Sequence, residues 1–277
     1  MTDTDWTWDE TLFAGTAEHY TAGRLPYPAE LIEALRRELD LDGTGRLLDV
    51  GCGPGSLTVL LAPSFAEAIG VDPDPGMLAE AARRPGPRNI RWHRARAEDL
   101  PDGLGVFRVV TFAQSFHWMD QPLVAGIVRD HMLEPGGVWA HVGGTTHRGV
   151  PEGVLPLPQP PWDRIAELVT RYLGPVRRAG QGSLPNGTRS GEEDVMRAAG
   201  FTGPHRLTAG GGRVVERTAD DIIASVLSQS GSAPHLFAGR LPAFQADLRH
   251  LLATAAPGGR FAELTAEIEA VIWRLQP

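Results

Sequence analysis

In the run GCGPG, Gly51, Gly53 and Gly55 alternate directly after the apolar stretch RLLDV, whose penultimate residue is Asp49. A glycine-rich turn between a strand and a helix lets the backbone approach a ligand closely and aims free N–H groups at it. A dinucleotide turn of the form G-x-G-x-x-G would place its third glycine where this chain has Ser56. Farther along, Asp72 in GVDPDPGML offers a carboxylate that can accept hydrogen bonds from both hydroxyls of a ribose. The segments ARAEDLP, with Ala97 and Glu98, and FAQSFHWMD, with Gln114 and His117, follow two further apolar runs. His117 is the preferred general base, because an unperturbed imidazole titrates close to working pH. Tyr20 and Tyr27 are rival proton relays or pocket walls.

These residues need a scaffold that brings them to one edge. PAELIEALRREL opens with Pro28 at a first-turn position and repeats Leu31, Leu35 and Leu39, an amphipathic helix. Short apolar runs then alternate with helical segments. RLLDV leads to a helix from Ser56, AEAIGVD to a helix near Met77 to Arg84, and NIRWHR follows. FRVVTFA leads to a helix across Leu123 to Met132 and then to GGVWAHVGG. That rhythm predicts a parallel sheet with crossover helices, whose strand ends line one crevice. The glycine- and proline-rich stretch from Gly144 to Pro161 leaves the sheet. Helical patterns at Trp162 to Tyr172, Gly191 to Ala199, Ala219 to Leu227 and Pro242 to Leu251 then predict a helical cap. LTAEIEAVIWRL fits both a period-two strand and a helix.

Composition narrows the chemistry. Of 277 residues, 42% are hydrophobic and 22% charged, the balance of a globular protein, and no run approaches the ~20 apolar residues of a membrane span. The acidic N-terminus, MTDTDWTWDE, is unlike a secretory signal, so a cytoplasmic location is expected. The single cysteine, Cys52, excludes an internal disulfide and a multi-cysteine zinc site, and the nine histidines show no helical zinc-binding pair. No metal is expected. All 26 basic residues are arginine, so Schiff-base lysines and the lysine of a phosphate-binding loop are absent. The net charge of −8 argues against a nucleic-acid partner.

LLDVGCGPGSLT, GVDPDPGML, ARAEDLP, FAQSFHWMD and LEPGG occur in the order and approximate spacing of a class I S-adenosylmethionine-dependent methyltransferase. The chain most resembles the small-molecule branch that includes trans-aconitate and ubiquinone/menaquinone-pathway methyltransferases. YTAGRLPYP sets Tyr20, Arg24, Tyr27 and Pro28 where that branch has a tyrosine and an RPxYP-like segment, with Leu25 in place of the usual proline. His131 stands where the family tends to carry arginine, so a helix-to-sheet contact differs. The resemblance covers about residues 10 to 143, with echoes in DVMRAAGF and VIWRLQP.

The resemblance implies S-adenosylmethionine as cofactor. Gly51, Gly53 and Gly55 would let the backbone pass beneath its methionine portion, and Asp49 would organise the ammonium end. Asp72 would hold the ribose, Met77 would pack on adenine, and Ala97 and Glu98 would address the adenine edge. Gln114 would border the methionyl group, and Arg24 would pair with its carboxylate. The expected fold is α/β, a Rossmann-like, doubly wound, mostly parallel seven-stranded sheet with N-terminal lid helices and a helical cap inserted in the C-terminal half. The lid and first helix would span 1–40 and the cofactor core 41–143. The cap would span 144–277, with core elements returning near 191–199, 204–216 and 266–274. Trp6, Trp8, Phe13, Phe116, Trp118 and Trp162 suggest an aromatic-walled pocket for a flat organic acceptor rather than a charged metabolite. The expected reaction is methyl transfer to oxygen or carbon of a small, aromatic or heteroaromatic natural product, with secondary metabolism as its setting. No nucleic-acid or membrane partner is expected, and a homodimer is left open. The rival readings are a nicotinamide-dependent oxidoreductase and a non-catalytic cofactor-binding regulator.

Overall fold

The computed structural model describes residues 9–151, 153–179, 182–183 and 191–275. Trp6 and Trp8, expected beside the lid, lie outside the described residues. Helices α1 (Ala17–Gly23) and α2 (Ala29–Glu38) lead into the first half of the core. That half runs β1 (Arg46–Val50), α3 (Thr58–Leu61), β2 (Glu67–Val71), α4 (Pro75–Arg83), β3 (Ile90–His93), β4 (Phe107–Ala113), α5 (Gln121–Ile127) and β5 (Leu133–Gly143). The second half opens with α6 (Trp162–Leu173), the two-residue strands β6 (Arg178–Ala179) and β7 (Gly182–Ser183), α7 (Glu192–Ala198) and β8 (Phe201–Gly210). It closes with β9 (Val214–Thr218), α8 (Ala219–Leu227), α9 (Pro234–Phe237), α10 (Leu241–Ala255), β10 (Arg260–Leu264) and β11 (Glu267–Leu275).

Seven strands form one sheet in the order β3-β2-β1-β4-β5-β11-β8. β11 runs antiparallel to both its neighbours, so the other six share one direction. The parallel strands are apolar on both faces because helices cover both. Leu47, Val109 and Val138 face the cluster that includes Leu31 and Leu35 of α2, whereas Leu48, Val110 and Trp139 face the one that includes Val124 of α5 and Met196 of α7. The segment that fits two periods is a strand. Ala270 pairs with Val142 on one side and Leu207 on the other, so both backbone edges of β11 are satisfied by ladders.

Two sequence expectations change at glycines and turns. The strand expected near 204–216 is split, because Gly210, Gly211 and Gly212 all take positive φ and end β8. Val214–Thr218 pairs instead with β10 in a separate antiparallel ladder. The helix expected from Ser56 is the four-residue α3 followed by a tighter turn that contains Pro63, which lacks an N–H to continue the ladder.

Two excursions, one between β5 and α7 and one between β8 and β11, pack together around a third apolar cluster. Its members include Ile165 and Val169 of α6, Ile222 and Val226 of α8, and Phe244 and Leu248 of α10. Glu263 on β10 ties them together. It pairs with Arg217 at 3.1 Å, with both side chains almost fully enclosed, and accepts from the Gly149 N–H and the Trp162 Nε1. No helix among the described residues is long and apolar enough to cross a membrane.

Candidate functional site

The parallel register brings the ends of β1, β2 and β4 to one edge, and with them the glycine turn, Asp72 and Gln114. Gly51, Gly53 and Gly55 have φ of +66°, +54° and +73°, a region that side chains on L residues rarely enter. A Cβ on Gly55 would lie 2.4 Å from the Trp92 ring, so this glycine is required by packing. A Cβ on Gly53 would meet nothing within 4 Å, because Gly53 borders a cavity of about 360 Å³. The turn is therefore tight on one side and open on the other.

Asp72 shapes that cavity. Its Oδ2 accepts from the Gly53 N–H at 2.8 Å and its Oδ1 from the Asp74 N–H at 2.9 Å. Each oxygen keeps capacity for a further donor from the cavity. Burial pushes the carboxyl up to about 6 despite these two bonds. Met77 and Ala97 are buried walls of the same cavity, and Glu98 lines it while accepting from the Asp120 N–H at 3.0 Å. Gln114 reaches the cavity from the end of β4 with φ of +53°, its N–H donating to Val142 O and its side-chain amide to Thr146 Oγ1. A non-glycine residue held there is costly backbone, and such positions cluster at ligand sites.

A second cavity of about 470 Å³ lies between this edge and the cap. Phe13, Tyr20, Arg24, Gln114 and Trp118 line both cavities and so form their common wall. Phe13 and Trp118 meet edge to face at 5.3 Å, and the Arg24 guanidinium stacks 4.6 Å from the Tyr20 ring centre. Arg24 Nε donates to Ser228 Oγ and its Nη2 to Ser228 O, fastening the lid to the end of α8. Its remaining donors are available to either cavity.

The structure gathers Tyr20, Arg24, Tyr27, Gly51, Gly53, Asp72, Met77, Ala97, Glu98 and Gln114 around the first cavity and leaves three expected residues outside it. Asp49 is completely buried beneath the turn, where Thr58 Oγ1 donates at 2.5 Å and Thr111 Oγ1 at 2.8 Å. Its expected role at an ammonium group gives way to one beneath the turn, joining α3 to β4. Gly55 contacts Trp92 rather than the cavity. His117 lines the second cavity, 4.9 Å from the Trp118 ring, and burial pulls its imidazole down to about 4. The sequence argument for His117 rested on an unperturbed value, and enclosure removes that basis. Tyr27, beside Gln114, has its phenol raised by burial, so it stays protonated and can donate but not abstract.

Sequence reasoning missed Thr146, His147, Arg148 and Arg177, which lie on irregular segments without a periodic signal. Among the described residues no group of three or more His, Cys, Asp or Glu is placed to hold a metal.

Residues 47–137, which hold the glycine turn, Asp72, Glu98, Gln114 and His117, match the family described as a methyltransferase domain. A Saccharomyces cerevisiae protein named as a probable S-adenosylmethionine-dependent methyltransferase is 34% identical over 36% of this chain and 36% of its own. The trans-aconitate 2-methyltransferase of Methylobacterium nodulans is 49% identical over 18% of this chain and 20% of its own. The solved YcgJ protein of Bacillus subtilis superposes with a TM-score of 0.48 over 89% of this chain and 98% of that one, at 16% identity. The chain spans half or less of the length of the curated relatives it first matches. Across residues 47–137, then, the chain is similar to a methyltransferase domain, and its curated relatives are named as methyltransferases.

Proposed function

We propose that the protein transfers a methyl group from S-adenosylmethionine to oxygen or carbon of a small acceptor with a flat, apolar body. The observation that carries this reading is the pair of cavities sharing one wall, so that a cofactor in one and an acceptor in the other would meet at Tyr20, Arg24, Gln114 and Trp118. The first cavity fits the cofactor in chemistry. Asp72 has accepting capacity for a ribose, Met77 and Ala97 are apolar walls for a base, and the open side of Gly53 leaves room for a chain beside the turn.

S-adenosylmethionine supplies an already activated methyl group, so the protein's task is alignment and exclusion of water. Asp72 and Glu98 would fix one end of the cofactor, while the free donors of Arg24 would hold its carboxylate. Phe13 and Trp118 would close the path of water between the chambers. His117, neutral at physiological pH, would accept a hydrogen bond from an acceptor hydroxyl and take its proton only as the new bond forms. The Tyr27 phenol, hydrogen-bonded to the Gln114 side chain, would keep that side chain in place.

Calorimetric titration with S-adenosylmethionine, S-adenosylhomocysteine and NAD tests the reading. The first two should bind and NAD should not, and Asp72→Asn should weaken them by tenfold or more, about 1.4 kcal/mol. Binding of NAD alone would sink the methyltransferase reading.

A further inference from the structure

The second cavity has an unusual charge inventory. Elsewhere on the molecule arginines meet carboxylates, as in Arg46 with Glu67, Arg108 with Asp42 and Arg217 with Glu263. Arg24, Arg148 and Arg177 all line the second cavity, and no described residue lining it is an aspartate or glutamate. Arg24 is held by a serine and a tyrosine, neither of them anionic. Arg148 and Arg177 have no ion-pair partner among the described residues, and the Nε of Arg177 is buried without a hydrogen bond. The chain as a whole carries a net charge of −8, so this local excess of cations runs against the rest of the molecule. His147 reports the same field, its imidazole driven down to about 3 by burial and by Arg24, Arg148 and Arg217.

The Arg177 guanidinium, half-buried with its Nε out of water and unpartnered, is costly unless a ligand supplies the counter-charge, and Arg148 adds a more exposed guanidinium to the same lining. Trp162, Ile165, Ala166, Val169 and Val226 give the cavity an apolar wall, beside uncharged polar groups such as Gln229, Ser230 and Ser232. Arg148 and Arg177 line this cavity and not the first one, so a group they hold is not the group at the shared wall.

We propose that the acceptor is an apolar molecule bearing an anionic group, a carboxylate or phosphate, which Arg148 and Arg177 clamp as an anchor separate from the atom that is methylated. This rests on the second cavity being the acceptor site, and it amends the sequence-based preference for an uncharged scaffold. Planar guanidinium forks match both oxyanions, and the anchor would set which atom of the acceptor reaches the shared wall.

The test is calorimetry on the full chain saturated with S-adenosylhomocysteine, titrated with 3-phenylpropanoate, 3-phenylpropyl phosphate and the neutral 3-phenylpropanamide. At least one anion should bind about tenfold or more tightly than the amide, and the preferred one identifies the oxyanion. Arg177→Gln and Arg148→Gln should each lower anion affinity about tenfold, and Arg177→Lys should retain part of it. Affinity for S-adenosylhomocysteine, titrated separately, should be unchanged in all three variants, which also shows that they fold. Equal binding of acid and amide, no binding of either anion to the wild type, or anion binding indifferent to both glutamine variants would overturn the proposal. Failure of S-adenosylhomocysteine itself to bind would instead strike the cofactor reading.

Discussion

Gly53 and Gly55 lie in one turn with similar backbone angles, yet alanine at the two positions should do different things. Both have φ in the left-handed region, +54° and +73°, and both variants therefore carry the backbone strain of a non-glycine residue there, on the order of 1 kcal/mol. Only at Gly55 would the new methyl collide, 2.4 Å from Trp92 Cη2 and 3.1 Å from Cζ3. Trp92 also covers Gly70, where a Cβ would lie 2.4 Å from the ring, so the indole has little freedom to withdraw. Overpacking of this kind adds about 1–3 kcal/mol. Gly55→Ala should thus lose roughly 2–4 kcal/mol in denaturant unfolding, and Gly53→Ala roughly 1 kcal/mol. Ligand affinity should reverse the order. The Gly53→Ala methyl projects into the first cavity and should weaken S-adenosylhomocysteine about tenfold or more, whereas folded Gly55→Ala should bind nearly as the wild type does. A Trp92→Leu background supplies the control. There the extra cost of Gly55→Ala should shrink by about 1–2 kcal/mol while that of Gly53→Ala stays the same. Equal destabilisation by the two alanines, or absence of coupling between Gly55→Ala and Trp92, would refute the division of the turn into a packed side and an open side.

The two buried aspartates make a prediction about pH. Asp49 and Asp72 are each raised from 3.8 to about 6 in the folded protein, mainly by burial, so between those values the native state binds more protons than the unfolded one. Their contribution to stability is therefore largest below about pH 4 and falls as pH rises to about 6, by roughly 3 kcal/mol for each carboxyl. Urea midpoints measured from pH 4 to 7 should fall more steeply in the wild type than in an Asp49→Asn, Asp72→Asn double variant, and parallel slopes would contradict the assignment. Affinity for S-adenosylhomocysteine should rise through pH 6 in the wild type and stay flat in Asp72→Asn, because only the ionised carboxylate accepts two hydroxyl hydrogen bonds. His117→Ala should lower turnover tenfold or more on an acceptor that must lose a proton, with cofactor affinity unchanged. Turnover equal to wild type would remove the imidazole from the mechanism.

Much of the first cavity was legible in the sequence because its residues sit at the ends of short apolar strands or in the segments that follow them, where parallel pairing brings them to one edge. Asp72 and Gln114 directly follow β2 and β4, Met77 is in α4 after β2, Ala97 and Glu98 are in the turn after β3, and all five line the cavity. Asp49 shows where the rule stops. It stands within β1, one residue before the strand ends, where the side chain is still enclosed by neighbouring elements and finds Thr58 and Thr111. No pattern in RLLDV separates a carboxylate that points to ligand from one that points to threonine, since period two assigns a face but not what waits there. The second cavity was less legible for a different reason. Its polar members come from the loop after β5, from Arg177 beyond α6 and from residues 229–232 after α8, segments that tertiary contacts bring together and whose own sequence carries no period. The arginines, scattered along the chain singly and in pairs, carry no such signal either. Whether an arginine is paired depends on what lies across from it, and Arg46 opposite Glu67 in the β1–β2 register could be anticipated once the strands were aligned, whereas Arg177 could not. Chemistry carried on repeating elements is written locally, and chemistry assembled between insertions appears only when the chain has folded around it.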